Sequence, residues 1–302
     1  MASIRLYVAN TDPGWFTFLS RHQPLDEVNH WQPGGKQQFK ALTPGELLVF
    51  RLRSPVNKIA GYGVFARAAL LPISLAWSSF GEKNGHPSFE SFQAAIRRLN
   101  PDNKGIIGYR ILTQPVFLPP SEWFSPPRDW PVNAVGGKRY ALESSEGRGL
   151  WERLAAGAAL GGNAGPSEPK PMFGNPVLVR PRLGQGAFRV GVIEAYGRRC
   201  VVTGERTLPA LEAAHIVPVK DDGQHEISNG LLLRRDLHGL FDQHYVTITP
   251  DKALLVSRRI REEFENGKEY YAMDGRRIRD PEFPTDAPSI EALRRHNELF
   301  VE

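Results

Sequence analysis

One cysteine, Cys200, stands in a chain of 302 residues. A lone thiol closes no intramolecular disulfide and cannot supply the paired Cys-x-x-Cys ligands of a structural zinc ribbon. Cys200 is therefore expected to be a small buried apolar residue, in a protein of the reducing cytoplasm. Long hydrophobic runs are missing too. No stretch approaches the roughly 20 apolar residues of a membrane-crossing helix, and the opening Met1 to Tyr7 lacks the apolar segment of a secretory signal. These absences lead us to expect a soluble chain. No internal repeat is visible, and 41% apolar with 24% charged residues is ordinary for a globular protein. At this length two domains are expected, each able to bury a core.

Charge is spread unevenly. Residues 1–175 carry 19 Lys+Arg against 13 Asp+Glu, and residues 176–261 carry 13 against 9. The tail, 262–302, reverses the sign with 6 against 11. The first two balances of +6 and +4 suit a polyanionic partner, although solvated basic side chains are the ordinary explanation of such an excess.

The densest chemical text lies between Glu212 and Asp242. It reads Glu-Ala-Ala-His-Ile-Val-Pro from Glu212, Asn-Gly-Leu-Leu-Leu from Asn229, and Asp-Leu-His-Gly-Leu-Phe-Asp from Asp236. Ala213 to Val219 is β-compatible and Pro218 ends it. Asp221, Asp222 and Gly223 form a turn, and a second strand runs from Ile227 to Leu233. From Arg235 the spacing of Leu237, Leu240 and Phe241 predicts a helix, followed by a strand over Tyr245 to Ile248. His238 and Asp242, four apart, then share one helical face and can reach one ion. Phosphodiester hydrolysis needs an activated water, neutralised phosphate charge and help for the leaving oxygen. A histidine can take a proton near neutrality, and a divalent ion supplies the electrostatic part.

This stretch resembles the HNH endonuclease family. The resemblance implies His215 as general base, Asn229 as a brace between the strands, and His238 with Asp242 as ligands of one divalent ion, Mg²⁺, Mn²⁺ or a transition ion such as Co²⁺ or Ni²⁺. Many members carry an acid or histidine before the base where this chain has Ala214. Glu212, three residues from His215, is expected on the opposite face of the strand and so away from the ion. A helix over Arg182 to Tyr196 is expected to precede the core. Arg182, Gln185, Arg189, Arg234 and Arg235 are candidate contacts to the DNA backbone.

Ahead of this core, Ile4–Ala9, Glu46–Arg53, Ile59–Ala68 and Ile106–Leu112 read as strands and Phe89–Leu99 as a helix. Element order, a tryptophan loop and a Pro-Gly-Glu turn (Pro44 to Glu46) resemble the PUA superfamily, whose SRA and EVE branches read modified bases. The combination with Leu183-Gly-Gln-Gly-Ala-Phe-Arg189 resembles McrA-like, modification-dependent restriction endonucleases. That implies an α+β chain with a PUA-like β-barrel and flanking helices over 1–156, a linker over 157–176, and a ββα-metal HNH domain over 177–302. A modified base, cytosine first among them, would be flipped into a pocket. Trp15, Trp31 and Trp77 are its candidate walls, and Asn10, Asp12 and Asn29 its candidate readers. Trp77 sits in apolar surroundings that equally suit a core residue. The expected partner is double-stranded DNA and the expected assembly a homodimer, because two strands must be cut. Two other functions fit less of the chain: an HNH nuclease of phage or mobile-element type acting on unmodified DNA, and a degenerate, non-catalytic DNA-binding protein.

Overall fold

The computed structural model describes residues 4–131, 136–160 and 181–301. Two compact units divide the chain, Met1–Ala187 and Phe188–Glu302.

The first unit is built on one mixed sheet. Its elements run β1 (Arg5–Thr11), α1 (Pro13–Ser20), β2 (Glu27–Asn29), β3 (Leu47–Leu52), β4 (Ile59–Pro72), α2 (Ile73–Phe80), α3 (Phe89–Leu99), β5 (Ile106–Phe117), β6 (Gly137–Ala141) and α4 (Ser145–Leu160). The strand order is β2-β5-β4-β3-β1-β6, with β1 and β3 parallel and the other neighbours antiparallel. Strand β3 shows why the sequence there is almost continuously apolar. Side chains alternate across a strand, so Leu47 and Val49 enter one core with Leu6, Val8, Tyr62, Leu150 and Leu154. Leu48, Phe50 and Leu52 enter the other with Trp15, Phe16, Leu19 and Phe65. Both faces are covered, so neither can be polar.

The α+β class is as expected, and the described strands of the first unit pair as a single six-stranded sheet. Among the described residues β2 and β6 are its two edges and do not pair with each other. Strand β4 is long and bends through register shifts at Tyr62/Val64 and Phe65/Arg67, as bulges do. Its glycine spacing has a steric cause: a Cβ on Gly61 would lie 2.1 Å from the carbonyl oxygen of Val116. Of the expected linker 157–176, the first residues continue α4 to Leu160, and the rest lies outside the described residues.

The second unit contains α5 (Gln185–Ala195) from Phe188 onward, β7 (Leu211–His215), β8 (Gly230–Arg234), α6 (Arg235–Asp242), β9 (Val246–Ile248), β10 (Leu254–Val256), α7 (Arg259–Phe264), α8 (Lys268–Tyr271) and α9 (Ile290–Asn297). Strands β7 and β8 pair antiparallel from Leu211↔Arg234 to His215↔Gly230, and α6 follows β8 without a break. Cys200 is buried and reduced. No helix among the described residues is long and apolar enough to cross a membrane.

Candidate active site

Helix α6 owes its orientation to a simple division of faces. Leu237 and Phe241 are buried four apart, which turns His238 and Asp242, one residue on from each, toward the β7 side and solvent. His238 Nε2 lies 3.3 Å from Asp242 Oδ2, and its Nδ1 lies 2.8 Å from Glu212 Oε2. The imidazole is therefore held between two carboxylates. Glu212 is itself anchored by Arg235, whose Nε sits 3.0 Å from Oε1. Hydrogen bonding to His238 keeps the Glu212 carboxyl below its ordinary pKa despite partial burial.

Glu212 was expected away from the ion, and its position corrects that expectation in part. It faces His238, the candidate ligand, although it follows strand alternation relative to His215. A ligating histidine commonly donates its second N–H to a carboxylate, which fixes its tautomer and direction. Glu212 is placed to do this for His238.

His215 ends β7. Its ring stacks on Phe188 with centroids 3.9 Å apart and planes 10° apart, and its Nε2 lies 3.0 Å from His225 Nδ1. Burial, then the neighbouring imidazoles of His225 and His238, push the His215 pKa down to about 4. His215 is thus neutral at physiological pH, the form a proton acceptor requires.

Asn229 is a brace of a particular kind. Its Oδ1 accepts from Val217 N at 2.9 Å, and its Nδ2 donates to the carbonyls of Val217 at 2.9 Å and Gln224 at 3.0 Å. One buried amide thereby ties the segment just after His215 to the loop just before His225. Within that loop a Cβ on Gly223 would sit 1.8 Å from the Val217 carbonyl oxygen, so only glycine permits the closure. His225, Glu212 in this role, and Phe188 were not found by reading the sequence. His225 lies in a polar turn with no periodicity, and nothing local marks it.

A divalent ion can be tested against these donors. Among the described residues, no group of three or more His, Cys, Asp and Glu side chains is arranged to hold one. What remains is the pair His238 Nε2 and Asp242 Oδ2. Their 3.3 Å separation is close to the spacing of about 3 Å between adjacent ligands of an ion bound at 2.0–2.2 Å. Glu212 can take the Nδ1 proton of His238, which leaves Nε2 and the Asp242 carboxylate side by side as two donor atoms for a cation. The residues fit an ion with two protein ligands and open positions for water.

Arg234 makes a two-point contact with Asp236 at 2.7 and 2.6 Å, and Arg235 is spent on Glu212. Arg182 and Gln185 are exposed and Arg189 is half-buried.

In the first unit a cavity of about 290 Å³ is lined by residues including Asn10, Asp12, Trp15, His30, Trp31 and Arg110. The expected tryptophan loop is instead the start of α1, capped by Asp12, whose Oδ1 accepts from Gly14 N and Trp15 N. The other Asp12 oxygen pairs with Arg53, and Asn10 Oδ1 accepts from Arg51 at 2.7 Å. Asn29 does not line the cavity: it is fully buried, with Nδ2 bonded to Asn84 Oδ1 at 2.9 Å. Trp77 is also outside the lining and packs on Phe89 and Phe92. Trp31 remains on the wall with Nε1 donating to the Asn84 carbonyl. Sequence reading missed His30 and Arg110. Both are buried, and His30 Nδ1 and Arg110 Nη1 have no hydrogen-bond partner. Burial and the Arg110 charge hold His30 well below its ordinary pKa, and burial lowers Arg110 to about 10.

Similarity to solved structures is weak. ASCH from Zymomonas mobilis aligns at 12% identity and TM-score 0.32, over 49% of this chain and 94% of that one. The modification-dependent TagI restriction endonuclease aligns at 14% identity and TM-score 0.29, over 93% of this chain and 77% of that one. No curated protein matches the sequence. The HNH endonuclease family model (HNH_2) matches residues 200–249, the stretch that holds every catalytic and ligand candidate named above. This segment is an HNH endonuclease domain, and the chain that carries it is a nuclease.

Proposed function

We propose that this chain is a modification-dependent DNA restriction endonuclease whose second unit hydrolyses a phosphodiester through His215, His238 and Asp242. The observation that carries the catalytic part is the pairing of a neutral His215 with a His238–Asp242 couple oriented by Glu212. In this reading His215 accepts the proton of the attacking water. His238 Nε2 and Asp242 would hold one divalent ion, which would supply neutralisation of phosphate charge and help for the departing 3′ oxygen. Mg²⁺, Mn²⁺, Co²⁺ and Ni²⁺ all suit a site with one nitrogen and one oxygen ligand. Asn229 keeps His215 aimed by holding the chain at Val217.

The reading role falls to a domain over 1–156, within the first unit, followed by a linker over 157–176 and a nuclease domain over 177–302. Its cavity is close in size to small-ligand pockets and has Trp15 and Trp31 among its lining residues. A flipped base, modified cytosine first among candidates, would be held against these rings. Asn10, Asp12, Arg53 and Arg110 supply polar groups on the same lining. Asn29 and Trp77 support this region from behind rather than touching the base. Arg182 and Gln185, both exposed, are the first candidates for backbone phosphate, with Arg189 beside them; Arg234 and Arg235 already hold carboxylates. The substrate is double-stranded DNA, and a homodimer would place one active site on each strand.

The deciding experiment is cleavage of one plasmid sequence prepared unmodified, methylated and hydroxymethylated at cytosine, with each of the four ions. Cutting confined to modified DNA supports the proposal. Equal cutting of all three removes the reading role and leaves a nuclease of unmodified DNA.

A further inference from the structure

The contact between His215 and His225 decides which nitrogen of His215 is free. Two imidazole nitrogens 3.0 Å apart are close enough to share one proton between them. If His225 Nδ1 holds it, a neutral His215 carries its own proton on Nδ1 and has no lone pair left for water. If His215 Nε2 holds it, the Nδ1 lone pair is free. After His215 has taken a proton there, the imidazolium still donates Nε2–H to His225, so the bond survives the reaction.

We infer that His225 is a positioning residue for the base: it accepts the Nε2 proton of His215 and so keeps the His215 lone pair on Nδ1. The inference rests on the reading of His215 as base. Three features of the fold make the contact a built one. Phe188 stacks flat on His215 and limits rotation of the ring about its face. His225 lies against the same Phe188, with centroids 5.7 Å apart, and is tilted 57° to His215. Asn229 bonds to the backbone at Val217 and at Gln224, fixing the two histidines' chain segments relative to each other. The titratable groups acting on His215 are His225 and His238, and neither is an anion. A partner that cannot carry negative charge leaves His215 uncharged where a carboxylate in its place would favour the imidazolium. The proton balance is short. Water gives one proton to His215 Nδ1 while its oxygen bonds to phosphorus, and the Nε2–H stays in the bond to His225.

Nitrogen-15 spectra of the full-length protein, labelled in the histidine rings, test the tautomer without any turnover. His215 should be the Nε2–H form in the wild type and lose that preference in His225→Ala. In His225→Asn, where the amide oxygen can accept, it should keep the preference. An Nδ1–H form in the wild type, or an unchanged tautomer in His225→Ala, overturns the inference. Kinetics supply the second arm. His225→Ala should lower kcat about 10- to 100-fold, the usual range for an orienting partner, with KM for DNA unchanged and most activity regained in His225→Asn. His225→Asp should move the acid limb of the rate profile to higher pH. Full activity in His225→Ala with an inactive His215→Ala removes His225 alone. Activity retained in His215→Ala removes the base reading itself.

Discussion

The two units use their polar side chains in opposite ways. In the nuclease unit the candidate residues form a short chain of contacts, with Arg235 on Glu212, Glu212 on His238, and His238 facing Asp242. In the proposed mechanism each of these contacts orients the next group. In the sheet unit, the groups that looked ready to read a ligand are largely occupied. Asp12 caps a helix and pairs with Arg53, Asn10 receives Arg51, and Asn29 is locked to Asn84. The buried atoms without partners there are Asn29 Oδ1, His30 Nδ1 and Arg110 Nη1 among others, so of the expected readers only Asn29 keeps a buried acceptor unmatched. A polar residue near a tryptophan is thus weak evidence of recognition, because a fold consumes such groups in its own turns and caps. A histidine and an acid four apart on a helix are stronger evidence. The spacing itself gives them a shared face, whatever surrounds them.

Substitutions in the two units should therefore separate cleanly. The largest effect is expected for His215→Ala, which should cost about 100- to 10,000-fold in nicking of supercoiled DNA, the usual worth of a general base. Binding to the same DNA in a gel-shift assay should persist. Glu212→Gln comes next, with a loss of about 10- to 100-fold in activity or ion affinity. Titration of activity with Mn²⁺ should show a raised half-saturation concentration, and an unchanged curve would deny Glu212 its orienting role.

Acid should then act on the nuclease unit through a buried residue packed behind α6. His296 is 4% exposed, stacks on Phe241 and touches Thr247 Oγ1 and the Phe241 carbonyl. Burial holds its pKa down to about 4. Above pH 6.5 neither the folded nor the unfolded form of this residue is protonated, so it contributes no pH dependence. Between 6.5 and 4 the unfolded chain takes a proton that the folded one refuses, and stability falls by about 3 kcal/mol in total. Urea unfolding at pH 7 and pH 5 would show part of the loss, and His296→Asn should reduce it while leaving the share due to His215, whose pKa is also pushed down to about 4.

The smallest effects test the sheet unit. Trp31→Ala should reduce the ratio of modified to unmodified DNA cleaved by about tenfold, a loss on the order of 1 kcal/mol for a stacked base. Trp77→Ala should leave that ratio unchanged and lower the melting temperature, as befits packing on Phe89 and Phe92. If Trp77→Ala alters the ratio and Trp31→Ala does not, the assignment of these two rings is reversed.

Much of the nuclease unit was legible because its signals are local. Apolar runs separated by a turn marked β7 and β8, and Leu237 with Phe241 marked the buried face of α6. The sheet unit was legible only as elements. Helix Phe89–Leu99 is found as expected, with Ser88 capping it, since amphipathic spacing and a capping serine are both sequence features. The stretch after Asp12 was read as a loop because Pro13 and Gly14 suggested a turn. Proline in the first helical turn and an aspartate cap made it α1 instead.

Sequence by itself determined the nuclease class, because the HNH match lies in one local stretch, residues 200–249, whose residue types and spacings are carried by one strand pair and one helix. Tertiary structure alone decided who serves those residues. Glu212 meets His238 across 26 positions, and His225 reaches back 10 positions to His215. Such pairings depend on how β7, α6 and the Gly223 turn pack together in three dimensions, and no periodicity along the chain encodes them.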